Sequence, residues 1–217
     1  MSEGRLSEVR GIKGLGNLPR SAYRMPRLTL LQPTSRQEGG VSGEYMLGDS
    51  GQSVKWFDAA FFHIQPIRTR YPDGSELGAP ECWSYDRLWP AKSVLSPFST
   101  QCDGCVQSLW TGEDKAPCSA GYAVFGLRLP DLTPFTWRIH GEAVSVIERW
   151  AVGLELLVPR LESLWDVRVT LASEKGKSEK GKYFLPVIKH EPLPESRKLD
   201  DMVRGFEPQM LRLLEQI

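Results

Sequence analysis

Apolar and polar positions along this chain alternate in short runs before they settle into any helical spacing. RLTLLQP (27–33) reads as a short strand closed by proline, and GEYMLGD (43–49) as a second, with the turn-rich SRQEGGVSG between them and DSGQ after. VKWFDAAFFHIQPIRTRYP (54–72) is the densest β-forming stretch, aromatic and β-branched at first and then alternating through Ile64, Pro66, Ile67, Arg68 and Arg70. It predicts one long or bulged strand. GYAVFGLRLPD (121–131) and PFTWRIHG (134–141) predict two more. The period then changes: Ala143, Val146, Ile147, Trp150, Leu154, Leu157, Val158 and Leu161 fall on one helical face, interrupted by Pro159. In WDVRVTLASEKGKSEKGKYFLPVIKHEP (165–192) two alternating runs flank a polar turn, which predicts a β-hairpin with a Lys/Gly-rich loop. Helical spacing returns in the tail at Leu199, Met202, Val203, Phe206, Met210, Leu211 and Leu214, with Pro208 placed to kink it.

Strands, one helix and a closing hairpin follow the order of an OB-type barrel, a small, partly open Greek-key barrel, although other α+β folds share that order. The predicted class is α+β, mainly β: an OB-like barrel carrying a four-cysteine zinc insertion and a C-terminal helix. The chain divides into a flexible basic arm (1–24), an OB-like domain (25–190) with its insertion at about 73–120, and the terminal helix (191–217). No internal repeat is visible.

Composition adds bounds. A chain of 217 residues, 41% hydrophobic and 25% charged, can bury a sizeable core in one large or two small domains. MSEGRLSEVRGIKGLG has no apolar run behind its charges, and AVSVIERWAVGLELLV is broken by Glu148, Arg149 and Glu155. Neither a secretory signal nor a membrane anchor is expected, and the reading is a cytoplasmic protein with no membrane partner. Net charge is zero but unevenly laid out: residues 1–36 hold seven basic residues against two acids, 166–189 six against three, and 73–118 three against seven. A polyanion could therefore be met on selected faces only.

The acidic middle holds all four cysteines. Cys82 is followed after nineteen residues by Cys102, after two by Cys105 and after twelve by Cys118, the middle pair forming a Cys-x-x-Cys knuckle. Thiols stay reduced in the cytoplasm, which argues against disulfides. Four thiolates complete a tetrahedral zinc shell, and linkers rich in Gly, Pro, Ser and Asp suit loops folded round a metal. Structural Zn²⁺ on Cys82, Cys102, Cys105 and Cys118 is the expectation, with His63, His140 or His190 as substitutes for an outer cysteine. A redox pair and four ordinary thiols are the alternatives; Asp103 inside the knuckle does not favour a reactive thiol.

Catalytic signatures are missing: the chain has three histidines, and no phosphate-binding loop, nucleophile elbow or His-Glu-x-x-His. The reading is non-catalytic. The positive signal is aromatic residues interleaved with cations, which a single strand needs for its bases and phosphates. Arg68, Arg70 and Tyr71 at the end of the long strand, and Lys175, Lys177, Lys180, Lys182 and Tyr183 in the hairpin, are the candidate nucleic-acid contacts; in a barrel these two regions can border one groove. Against this, most aromatics of a β domain are core and a Lys-rich turn is usually only solvated. Trp83, Tyr85, Trp89 and Trp110 are expected to pack the cysteine lobe, or else to form an exposed patch.

MPRLTLLQPTS, GEYML, the four-cysteine insertion, the PFTWRIHG strand leading into a helix, and VTLASEKGKSEKGKYFLPVI together resemble the zinc-containing, OB-fold single-stranded DNA-binding proteins of phages and mobile elements. The resemblance spans about residues 25–190. It implies single-stranded DNA binding in replication or recombination, a structural zinc on the four cysteines, and a DNA groove bordered by the Lys-Gly hairpin with Tyr183. One departure matters: such proteins often end in a flexible acidic tail, whereas this chain ends in EPQMLRLLEQI. DNA is not separable from RNA at this level. The second reading is a zinc-bearing subunit of a larger nucleoprotein complex of CRISPR, transposition or transcription-regulating type, contacting a protein partner through the zinc lobe or the C-terminal helix. An enzyme of unrecognised class is the third.

Overall fold

A computed structural model describes residues 25–35, 39–48, 51–72, 80–91, 96, 98–109, 116–157, 163–178 and 181–193. The basic arm and almost all of the C-terminal helix lie outside the described residues.

Nine strands form one sheet: β1 (Arg27–Leu30), β2 (Tyr45–Leu47), β3 (Ser53–Val54), β4 (Phe57–Arg70), β5 (Cys82–Ser84), β6 (Cys118–Arg128), β7 (Thr133–His140), β8 (Val167–Ser178) and β9 (Gly181–Pro192). Their order is β3-β2-β1-β7-β6-β4-β8-β9, with β5 paired on the far end of β4. All neighbours are antiparallel except β1 and β7, which meet in parallel at Arg27 opposite Thr136 and Leu28 opposite Trp137. The predicted long strand is β4, and its register shifts between Phe61 and His63, which is the bulge. Pro66 is tolerated inside it because β8 covers only Phe57–Ala60 and β5 only Arg68–Arg70, leaving that stretch with the single ladder to β6.

The sheet curls strongly into a half-barrel, and helix α1 (Ala143–Leu157) packs on its concave face through Ile147, Trp150 and Leu154. Trp150 meets Phe61 edge-on at 5.5 Å, inside a core that includes Leu28, Tyr45, Phe57, Phe135, Trp137, Ile139, Val169 and Leu171. The convex face is covered as well: Ala60, Phe62, Ile67, Ala123, Phe125 and Leu127 pack against Met25, Tyr85, Leu132, Trp165 and Leu193. Burial on both faces explains why FDAAFF and AVFGL read as continuous apolar runs rather than alternations.

Side chains hold the curl. Tyr45 donates its hydroxyl to the Ala172 carbonyl at 2.8 Å, Ser173 donates to the Gly43 carbonyl, and the Gln32 amide makes two bonds to the Phe184 backbone, donating at 3.0 Å and accepting at 2.9 Å. The β8–β9 hairpin is thereby fastened to the β1–β2 end of the sheet. β9 continues to Pro192, so the hairpin takes the first two residues of the segment read as terminal helix. The mainly-β class with one helix before the tail holds. No helix among the described residues is long and apolar enough to cross a membrane.

Candidate functional site

β5 and β6 flank the last residues of β4, so Cys82 and Cys118 both fall opposite Arg70. Register neighbours point to the same face of a sheet. The two thiols, far apart in sequence, therefore share a floor with Arg68 and Arg70. The knuckle closes over it. Gly104 takes a positive φ of 70°, the Cys105 amide reaches the Cys102 carbonyl at 3.4 Å, and the Ser108 hydroxyl bonds the Cys102 and Cys105 carbonyls at 3.1 and 2.7 Å. The loop after β5 is pinned by Asp86, whose carboxylate accepts from the Leu88 and Trp89 amides at 2.7 and 2.9 Å, and by the Cys102 amide, which donates to the Leu88 carbonyl at 2.8 Å.

All four cysteines line one cavity of about 20 Å³, with Arg68, Arg70, Ser96 and Phe98 among its other walls. That is room for about one water-sized body. Burial pushes the Cys118 thiol up to about 11 against the pull of Arg68, with Cys82, Cys102 and Cys105 adding to the rise; burial likewise raises Cys102. Among the described residues no three His, Cys, Asp or Glu side chains stand close enough to hold a metal as they are. The register sets Cys82 and Cys118 two strand spacings apart, roughly 10 Å between Cα atoms. The donor set and the shared cavity fit zinc in kind. His63, His140 and His190 do not line this cavity.

A second cleft, of about 160 Å³, opens where β1 and β7 diverge. Leu28, Trp137, Ile139, Ala143, Phe184 and Pro186 line it from the core side, and the β1 and β7 backbone at Arg27, Arg138 and His140 runs along its edge. Alternation along β7 puts Thr136, Arg138 and His140 on the face opposite Phe135, Trp137 and Ile139, and Arg27 pairs with Thr136. The groups repel. Burial, then Arg138 and Arg27, pull His140 down to about 4, so it is neutral at pH 7. Arg27 is exposed as a residue, yet its guanidinium is held below its ordinary value by desolvation and by Arg138, with Tyr71 working in the other direction.

No protein-family model, no curated protein and no solved structure matches this chain. The site therefore has to be read from its own geometry.

The sequence-predicted nucleic-acid contacts divide between the two regions. Arg68 and Arg70 line the cysteine cavity; Arg70 is ion-paired to Glu81 at 3.2 Å and lies over the Phe98 ring at 4.8 Å. Tyr71 is close enough to Arg27 to act on its charge. Lys175, Lys177 and Lys182 are exposed on the hairpin, and Lys180 lies outside the described residues. Tyr183 is occupied: its ring covers Gly176, and its hydroxyl donates to Glu142 at 2.5 Å, which raises its pKa. Of the lobe aromatics, Tyr85 packs on the convex core while Trp89 is exposed, and Trp110 lies outside the described residues.

Sequence reasoning missed Arg27 and Arg138 and gave Phe184 no separate role. The alternation of PFTWRIH already put Arg138 and His140 on one polar face. That Arg27 joins them depends on a parallel pairing across more than a hundred residues, for which no local signal exists.

Proposed function

We propose that the protein is a non-catalytic single-stranded nucleic-acid-binding protein, single-stranded DNA in the first place, whose curled sheet serves as an OB-like scaffold and whose cysteine lobe is a zinc-stapled insertion. The supporting observation is a basic and aromatic face of the β8–β9 hairpin. Lys175 is the register partner of Phe184 and Lys177 of Lys182, so these four side chains share a face of the hairpin, and Phe184 also lines the cleft between β1 and β7. Cations spaced about 6.6 Å apart along a strand beside an aromatic ring suit phosphates and a stacked base, worth ~1–3 kcal/mol per base. Zinc on Cys82, Cys102, Cys105 and Cys118 would hold the lobe together and deprotonate thiols that burial otherwise keeps protonated. A role in phage or mobile-element replication or recombination rests on the resemblance in sequence pattern alone.

One observation favours the second reading, a zinc-bearing subunit of a nucleoprotein complex. Leu88, Trp89, Val106 and Leu109 are each at least half exposed on the cysteine lobe. Four exposed apolar side chains in one lobe suit a protein contact.

Fluorescence anisotropy of labelled oligo-dT and of a matching duplex, at two salt concentrations and on metal-quantified protein, separates the two. Salt-sensitive preference for the single strand is expected. No binding to either strand form, with zinc present, would leave the subunit reading in its place.

A further inference from the structure

Two arginines stand on the floor of the cysteine lobe, and among the described residues only one of them has a carboxylate partner. Arg68 and Arg70 are two residues apart on β4, so alternation puts both side chains on the face that carries Cys82 and Cys118, the register partners of Arg70. Arg70 is paired with Glu81 at 3.2 Å and lies over the Phe98 ring. Arg68 has Ser84 and Ala120 level with it on the flanking strands, neither of them charged. Its Nε is buried with no hydrogen-bond partner, and no described carboxylate is ion-paired with it. Asp86, whose charge is felt at Cys102, already accepts from the Ser84 hydroxyl and from the Leu88 and Trp89 amides. The Arg68 Nε–H is thus a charged donor that the lobe places and does not use, and a buried donor in that condition is costly to keep.

What stands within reach of it is sulfur. Arg68 lines the cavity that all four cysteines share, and its charge is felt at both Cys118 and Cys102. At about 20 Å³ the cavity holds one water-sized body, so it admits a metal ion and excludes a phosphate group. Zinc on four thiolates leaves its centre with a net charge of two minus, and a lobe shielded from water tolerates such a charge only when cations or hydrogen bonds answer it. Hydrogen bonds between a charged donor and a charged acceptor are the strong ones. Arg70 shares its charge with Glu81, which leaves Arg68 to answer the sulfurs.

We infer that Arg68 is a positioning residue of the metal centre, supplying the counter-charge and one hydrogen-bond donor to the thiolates of a zinc held by Cys82, Cys102, Cys105 and Cys118. The inference deepens the reading of those four cysteines as zinc ligands and rests on it.

The test uses the full-length protein with its Arg68→Met and Arg68→Lys variants. Zinc affinity is measured by chelator competition at fixed pH and ionic strength, and cobalt(II) serves as a spectroscopic probe of the same site. Arg68→Met, similar in reach but uncharged, is expected to bind zinc about 10–100-fold more weakly, as loss of an outer-shell partner does. Arg68→Lys keeps the charge and should recover most of that loss. In the cobalt-loaded protein the thiolate-to-cobalt charge-transfer band should move to longer wavelength in Arg68→Met, because a thiolate that loses a hydrogen bond gives up an electron more readily. A lobe that had only lost packing would hold less metal without moving the band. Native zinc affinity and an unmoved band in Arg68→Met overturn the role of Arg68 and leave the four-cysteine site standing. Weakened binding that Arg68→Lys does not restore, with the band unmoved, overturns it as well, since the side chain then acts only in packing. Uptake of neither metal by the native protein overturns the four-cysteine reading, and the counter-charge with it.

Discussion

Cys82 and Cys118 stand level with one another across β4, each the register partner of Arg70 from an opposite side. A cation thus sits between two buried thiols, with the Cys102–Cys105 knuckle above. Burial outweighs the pull of Arg68 at Cys118 and raises Cys102 as well, so metal uptake would have to displace the thiol protons. Purified protein is expected to carry about one zinc per chain, and Cys118→Ser or Cys102→Ser to lose it. None of the four cysteines belongs to the core around Phe61 and Trp137. Chelation should therefore loosen the lobe, read as faster amide exchange at 82–109, while the near-ultraviolet signal of Trp137 and Trp150 persists. Metal-free protein with an equally protected lobe would remove zinc from the picture.

The hairpin and the end of β4 now make separable predictions. Lys175→Glu with Lys182→Glu should weaken oligo-dT binding, whatever the base sequence, and reduce the salt slope by about 0.7 for each phosphate the hairpin no longer neutralises. Arg70→Glu should act differently: with Glu81 beside it and Phe98 beneath it, reversal destabilises the lobe and leaves the salt slope unchanged. A slope that falls with Arg70→Glu and not with the lysines would move the groove to the cysteine end.

Gly126 is a packing requirement. A Cβ there would lie 2.7 Å from the Phe135 ring and 2.9 Å from the Ala60 carbonyl, one flanking strand on each side. Gly126→Ala is expected to cost about 1–3 kcal/mol in urea unfolding, as overpacking does. An unchanged midpoint would mean that β4, β6 and β7 are spaced more loosely at that point.

His140 sets an acid limb. Burial comes first among the causes that bring it from 6.5 to about 4; Arg138, Arg27 and Arg87 add to it, and only a hydrogen bond with the Ala120 backbone opposes them. The Ser119 hydroxyl lies 3.5 Å from Nδ1. Between pH 6.5 and 4 the unfolded chain takes up a proton that the folded one refuses, so stability falls as pH drops through that window and levels off below it. The loss is on the order of 3 kcal/mol, from ~1.4 kcal/mol per pKa unit over the shift from 6.5 to about 4. His140→Gln should flatten this limb; an identical pH profile in the variant would place the titration elsewhere.

How much of this was legible depended on whether the signal was local. The long strand with its bulge, the hairpin and the helix carried periodicity or turn residues in their own sequence and were read within a few positions. The convergence of four cysteines was legible as composition, since their residue type alone suggested a common centre. The division of the basic residues was not. Arg70 and Lys175 look equivalent in sequence, and what distinguishes them is that Glu81 and Phe98 come back to one of them and nothing described comes back to the other. Arg27 escaped for the opposite reason: it opens a four-residue strand whose partner, β7, begins more than a hundred residues later.

The paired hydrogen bonds between Gln32 and Phe184 make the hairpin behave like the tongue of a buckle. The ladders fix each strand against its neighbours, but they leave the distance between the two margins of the rolled sheet free to vary. One amide, with Tyr45 and Ser173 beside it, sets that distance. Undoing it with Gln32→Ala should widen the mouth without removing a single cation, so that affinity for a strand falls while the number of phosphates it engages stays the same. The aperture of this protein is then adjustable from one residue, and a ligand that pressed Phe184 outward would be felt along the whole basic hairpin.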